Sequence, residues 1–449
     1  MNRSRGAIGA MLVVLLVAGC GARAPAAPSL SPSPPPGSAG PTPVASASAA
    51  ATAPASPSPT SQTLADIAGL QARLAANPDD ESVLTDLGFA LLQRVRETAD
   101  PSLYGEADKV LMHALTLQPD DPLVLVAIGG LQLGRHEFAD ALETGRAALA
   151  ILPDLPAARA IEVDALVELG RYDEADAAAE RLLALRQDIV SLPRISYLRE
   201  LQGDLAGALE AMRTAAASAG IAPENTAYVT ALLGTLLVKT GDTAGAEAAY
   251  RHALELVPNH APAIAGLGRL AVARGDLDEA IRQFERASAI LPLPEYVIAL
   301  GEAQEAAGDT TSAAKSYDLA RAEIQLFEAA GVTVDLELAL FEADHGDASR
   351  ALELAQAAYD RAPTIRAADA LAWALHRSGR DEEAKRRSDE ALRLGSKDPL
   401  LQFHAGAIAA ALGDVPVARA ALQLALGVDA GFSATGAAEA RELLAALPH

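Results

Sequence analysis

The sequence predicts an all-α chain, built as a solenoid of antiparallel helix pairs. Three observations predict it. Half of the 449 residues are hydrophobic but only 4% are aromatic, and alanine and leucine, both strong helix formers, carry most of that apolar content. An alanine recurs at Ala107, Ala141, Ala175, Ala208, Ala246, Ala280, Ala313, Ala351, Ala384 and Ala418, at spacings of 34, 34, 33, 38, 34, 33, 38, 33 and 34. Five residues before each stands Gly170, Gly203, Gly241, Gly275, Gly308, Gly346, Gly379 or Gly413, with only Ser102 and His136 breaking the column. A fixed period of this length marks stacked supersecondary units that bury their apolar faces on their neighbours.

The N-terminus comes first. Arg3 and Arg5 precede the uncharged, mostly apolar run Gly6 to Ala18, which is short for a permanent membrane helix but has the length of a signal-peptide core. It ends in Val17-Ala18-Gly19-Cys20, and Cys20 is the single cysteine, so neither a disulfide nor a thiolate zinc site can form within one chain. This run resembles the lipobox of bacterial lipoproteins. The resemblance implies lipid transfer to Cys20, cleavage that removes residues 1–19, and a membrane anchor on the extracytoplasmic face of the cell membrane or outer membrane. Gly21 after the cysteine is compatible with outer-membrane sorting in a cell that has one.

Residues 20–60 form the expected linker. Ala24 to Ala65 carries no charge, and the part through Thr60 is mostly Pro, Ser and Ala, a composition that cannot bury a core. Proline extends such a chain at about 3.1 Å per residue, so the segment reaches on the order of 100 Å and spaces the folded part from the lipid. Its Ser/Thr content permits O-glycosylation.

Residues 61–432 hold the repeats. Seven residues after each column alanine is another (Ala114, Ala148, Ala215, Ala253, Ala287, Ala320, Ala358, Ala391, Ala425), with Leu182 the exception. Pro119, Pro153, Pro258, Pro292 and Pro363 follow five residues later in half the units. The glycine permits the left-handed turn that ends a first helix, the two alanines let helices cross closely, and the proline ends the second helix. Each unit therefore reads as helix, tight turn, helix, short loop.

The clearest unit contains Leu233-Gly234, Leu237, Gly241, Ala246, Tyr250, Ala253 and Pro258, and the next carries Leu267-Gly268, Gly275, Ala280, Phe284, Ala287 and Pro292. These residues resemble the tetratricopeptide repeat family over roughly residues 63–430. The resemblance implies a right-handed superhelix of about ten repeats, with a concave groove that holds a peptide or helix of another protein. Some units depart from the pattern. The first has a lengthened turn from Val95 to Tyr104, and the second has His136 in the glycine column. The two 38-residue spacings imply longer helices or loops near Gly220–Thr226 and Phe327–Val334. Ser61 to Asn77 reads as an N-terminal half-unit. Residues 433–449 read as a capping helix, with Glu439, Arg441 and Glu442 facing water.

Charge and motifs narrow the function. A formal charge of -23 and a pI near 4.7 repel phosphate backbones, which argues against nucleic acid as a partner. Gly266-Leu267-Gly268-Arg269-Leu270-Ala271 imitates a dinucleotide fingerprint but follows no strand and falls in a packing column. The histidines form no metal-type pair, and no nucleophile elbow, P-loop or calcium loop is present. The carboxylates are expected among arginines on solvated outer faces. No catalytic residue, metal or cofactor is assigned, and the chain is not expected to be an enzyme.

The ninth unit offers the best local candidate for binding a protein partner. Arg366, Asp369, Trp373, His376 and Arg377 are spaced to share one face of its first helix, and Phe403 from the next unit lies alongside. Trp and Arg are enriched at interface hot spots. The competing reading is that Trp373, the only tryptophan, fills space between units. Glu295, Glu302 and Glu305 on the equivalent face of unit seven make the groove acidic there. The chain is thus expected to be a membrane-tethered scaffold for other proteins, the alternative being a carrier or receptor for a peptide or glycan.

Overall fold

The structure is a computed structural model that describes residues 59–448 apart from 219, 221 and 222. The signal-like segment, Cys20 and nearly all of the expected linker lie outside the described residues. Within them are 22 helices and no strand. Helix α1 (Pro59–Ala76) and helix α22 (Ala434–Ala446) flank ten hairpins. The first five are α2 (Glu81–Thr98) with α3 (Leu103–Leu117), α4 (Pro122–Gly134) with α5 (Phe138–Ile151), α6 (Pro156–Glu168) with α7 (Tyr172–Leu185), α8 (Leu192–Leu201) with α9 (Leu205–Ala217), and α10 (Pro223–Lys239) with α11 (Thr243–Leu256). The last five are α12 (Ala261–Arg274) with α13 (Leu277–Ile290), α14 (Pro294–Ala306) with α15 (Thr310–Ala329), α16 (Asp335–His345) with α17 (Ala348–Arg361), α18 (Ile365–Arg377) with α19 (Asp381–Ala391), and α20 (Pro399–Ala411) with α21 (Val415–Val428).

The repeat columns act as their chemistry dictates. Gly170, Gly203, Gly241, Gly275, Gly308, Gly379 and Gly413 all adopt positive φ in the turn between the two helices of a hairpin. Gly346 does not (φ -139), and a different constraint keeps it a glycine: an added Cβ would stand 1.7 Å from Glu342 Oε2, which accepts from the Asp347 amide. An aspartate follows several column glycines and caps the second helix. Asp242, Asp276 and Asp309 accept from the amides of Gly245, Glu279 and Ser312, which satisfies donors the helix start leaves open. Pro119, Pro153, Pro258, Pro292 and Pro363 each sit two residues beyond the end of their helix.

A glycine on a first helix meets a large side chain on a second helix, either of its own hairpin or of the one before. A Cβ on Gly268 would fall 2.8 Å from the Phe284 ring, and one on Gly266 would fall 2.4 Å from Tyr250. The glycines that imitate a dinucleotide fingerprint are therefore packing sites. Phe284 and Tyr250 are each 1% exposed, and burying a Phe side chain contributes roughly 1.5–3 kcal/mol.

The coil also touches itself across its turns. The Thr333 amide donates to the Arg135 carbonyl at 3.1 Å, and His136 Nδ1 donates to the Thr333 carbonyl at 2.7 Å. These partners stand some 197 residues apart in sequence. The Ile365 amide donates to the Tyr172 hydroxyl at 3.0 Å, a Cβ on Gly203 would collide with the Gly395 carbonyl at 2.2 Å, and Ser433 Oγ donates to Glu302 Oε2 at 2.7 Å. Two departures from the repeat pattern meet in one of these contacts. His136 takes a left-handed φ of 60 where the pattern has glycine, and the lengthened segment at 327–334 is what it holds. Both 38-residue spacings arise from long helices, since α10 has 17 residues and α15 has 20, against 14 in α12 and α13.

Candidate functional site: the inner wall of the coil

The first helices of the hairpins form the inner wall, and some of them are enclosed on nearly every side. In α6 every residue from Ala160 to Val167 is buried, and in α18 every residue from Ala367 to Leu375. The wall is therefore not the open groove that the family resemblance implies, because the opposite turn of the coil lies against it. Side chains of the first helices pair with one another along the inner wall, between neighbouring units and, at Asp398, across the coil. Arg194 of α8 grips Asp164 of α6 through two bonds of 2.8 and 2.6 Å, and both residues are buried. Lys239 at the end of α10 reaches Glu200 at 2.5 Å and Asp398 at 3.4 Å. Burial works against the charge on Lys239, but those two carboxylates outweigh it and raise the ammonium pKa. Burial likewise opposes the Asp398 charge, and Lys239 with Arg366 still holds that carboxyl below its usual range. On the N-terminal side, Arg96 of α2 faces Glu224 and Tyr228 of α10, so the extra turn of α10 places charge on the axis.

Charged residues inside an apolar wall differ from the expectation that carboxylates occupy outer faces. Glu162, Asp164, Glu302, Glu323, Glu342, Asp344 and Asp369 are all buried. The signal was present in the run from Ile161 to Val167, which reads apolar around the whole helix yet carries Glu162 and Asp164. A helix that is apolar all round is buried all round, and a charge there must face a partner.

The structure brings the residues singled out on unit nine together, packed inside the molecule. Trp373 has no exposed surface, and its Nε1 donates to Asp344 Oδ1 at 2.7 Å. The His404 ring stacks on it at 4.1 Å and 12°, with Phe403, also fully buried, tilted at 5.5 Å. Asp369 is 2% exposed and its Oδ2 lies 2.8 Å from His404 Nδ1. His376 is half-buried, with Nδ1 2.6 Å from Asp381 Oδ1. Arg377 donates Nε to the Ala343 carbonyl at 3.0 Å and lies 5.6 Å from the centre of the Trp373 ring. Arg366 is half-buried over Tyr197 at 5.8 Å, beside the axial carboxylates. In unit seven, Glu302 is buried between Ser433 and His345, whereas Glu305 accepts from the Tyr317 hydroxyl at 2.9 Å. Of the three cap residues expected to face water, Arg441 and Glu442 do, while Glu439 turns half inward.

Among the described residues no cluster of His, Cys, Asp or Glu is arranged to hold a metal ion, and no helix is long and apolar enough to cross a membrane.

Comparison with known proteins agrees with the repeat geometry. Residues 237–302, from the end of α10 into α14, match the model of the tetratricopeptide repeat family. The chain is 29% identical over 309 residues to Cellulose synthase operon protein C of Xanthomonas axonopodis pv. citri (strain 306), covering 65% of this chain and 18% of that protein. It is 35% identical over 81 residues to a TPR repeat-containing protein of Pseudomonas aeruginosa, covering 18% of this chain and 13% of that one. The chain thus spans less than a fifth of the length of these curated relatives. Among solved structures, a human IFIT1 dimer with m7Gppp-AAAA superposes with a TM-score of 0.47 at 15% identity, covering 74% of this chain and 76% of that one. With the family match over residues 237–302, the repeat columns and ten stacked hairpins in agreement, the chain carries tetratricopeptide repeats.

Proposed function

We propose that the chain is a membrane-tethered, extracytoplasmic scaffold that binds partner proteins through the inner wall of its coil. The observation that carries this reading is the convergence of Lys239, Glu200, Asp398 and Arg366, which come from both sides of the coil. Such charges pair with each other when the coil is closed and re-pair with a partner's side chains when it opens. Breaking a buried pair without replacement costs about 3–5 kcal/mol, so only a partner of matching charge pattern opens the wall. Trp373, Asp369 and Phe403 join that contact once the turns separate, and Arg366, His376 and Arg377 flank it. Tethering rests on Cys20 and its resemblance to a lipobox.

Photo-crosslinking in intact cells tests the scaffold, with the crosslinking residue placed at Tyr197 beside Arg366. Stoichiometric adducts with specific proteins are expected, and adducts only within the chain itself contradict the reading. Cys20→Ser is expected to move the protein out of the membrane fraction, and an unchanged distribution removes the tether.

A second reading, a carrier or receptor for a glycan, is favoured by the similarity to Cellulose synthase operon protein C. It predicts that the purified protein binds cello-oligosaccharides with no protein partner present.

A further inference from the structure

Between the two turns of the coil lies a cavity of about 70 Å³, and the two departures from the repeat pattern build it. Tyr104 of α3 and His136 of the α4–α5 turn close it from one turn. Ile298 of α14, Phe327 of α15 and Val334 of the α15–α16 connection wall it from the other. Gly134 has to be a glycine for this, since a Cβ there would stand 2.8 Å from the Tyr104 ring and drive the ring aside. The His136 bond to the Thr333 carbonyl closes the seam beside it.

Most of the lining is apolar, and apart from the Tyr104 hydroxyl and His136 its polar side chains are carboxylates. Glu295 and Glu337 both line the cavity. Glu337 is half-buried and has neither a hydrogen bond nor an ion pair among the described residues. His136 commits Nδ1–H to the Thr333 carbonyl. The nearby cations are committed elsewhere, Arg135 to Asp108 and to the Tyr104 carbonyl, and Arg96 to the Glu224 side of the axis. An unpaired carboxylate in a mostly apolar wall, with the Tyr104 and Phe327 rings beside it, fits a cation that carries its own apolar body.

We propose that this cavity binds a small organic ammonium ion, with the short alkyl body against Ile298, Phe327 and Val334 and the charged nitrogen on Glu337. Because both turns of the coil contribute walls, the bound ion favours the closed coil over the open one. This is a ligand site separate from the partner-binding wall and stands or falls independently of it.

Saturation-transfer NMR on the full chain tests the site, with isobutylamine and isobutanol as probes of matched shape and different charge. Isobutylamine is expected to bind at least about tenfold more tightly than isobutanol at neutral pH. Glu337→Gln is expected to erase that difference while leaving the Thr333 amide as slow to exchange as before. Ile298→Phe, which fills the cavity, is expected to abolish binding of both. Equal affinity for the two probes overturns the proposal, as does a preference that survives Glu337→Gln, or binding of neither probe to the unaltered chain, the result expected of a cavity that holds only water.

Discussion

The α12–α13 hairpin and the seam between the α4–α5 turn and the α15–α16 connection hold together by different chemistry. In the hairpin, Gly268 receives the Phe284 ring, and the partners stand sixteen residues apart with a turn and an aspartate cap between them. Each residue there belongs to a column that recurs along the chain. At the seam, a histidine in the glycine column bonds a carbonyl some 197 residues away, inside a segment that breaks the period. Periodic residues build units, and aperiodic ones decide how the stacked units close. In a repeat protein the first kind of contact supplies stability unit by unit, while the second sets the shape of the whole coil.

The strongest test of the periodic side removes a ring. Phe284→Ala is expected to cost about 3–5 kcal/mol in urea unfolding, because the glycine opposite cannot fill the void. Trp373→Ala is expected to cost a similar amount, since the indole has no exposed surface and its loss strands the Asp344 carboxylate. A loss below about 1 kcal/mol at Trp373 would mean that the unit-nine interior is loosely packed and open to a partner.

Two buried titrating groups sharpen the comparison in opposite directions. His260 caps α12, and burial pushes it down to about 4 from its ordinary 6.5. The unfolded chain therefore takes up a proton between those values that the folded chain refuses. Stability from this group is complete above pH 6.5 and falls by about 3 kcal/mol as the pH drops to 4. His260→Asn keeps a capping side chain and is expected to flatten that slope. Glu323 of α15 has an unpaired buried oxygen, and burial pushes it up to about 7 from 4.5. Here the folded chain holds the proton, so its stabilising effect is complete below pH 4.5 and is lost as the pH rises through 7. Glu323→Gln is expected to gain about 3 kcal/mol at pH 8 and nothing at pH 4. A pH-independent effect at either position contradicts the burial assigned to it.

The smallest expected change in stability carries the most information about the seam. His136→Gly restores the repeat pattern and relieves a left-handed histidine, while it gives up the bond to Thr333. The two effects nearly cancel, and unfolding is expected to shift by no more than about 1 kcal/mol. The α4–α5 hairpin stays folded and the neighbouring turn loosens, read as faster exchange at residues 331–335. If stability falls by several kcal/mol, the seam and the units are not separable.

Much of the fold was legible because its causes are local. The glycine column marks seven left-handed turns, the prolines mark five helix ends two residues on, and the breaks in period mark two long helices. Little of the inner wall was legible. Spacing put Trp373 on one face of its helix with Phe403 alongside, but spacing does not say that the helices around them are buried on every face. The bond of Ile365 to Tyr172 and that of Ser433 to Glu302 join residues 193 and 131 positions apart, beyond any repeat register. Charges such as Asp164 inside an apolar run were the one local sign that the wall is buried. They indicate that a partner exists without saying which residue it is.

Closure of the coil is the claim on which the rest depends, and amide hydrogen exchange at Thr333 measures it without altering the protein. Thr333 lies outside regular helix, and its amide is held only by the Arg135 carbonyl of the other turn. A closed coil predicts that this amide exchanges as slowly as those in the flanking helices α15 and α16. Exchange at the rate of an unprotected loop amide would show that the turns stand apart, and with them the axial ion pairs and the seam cavity.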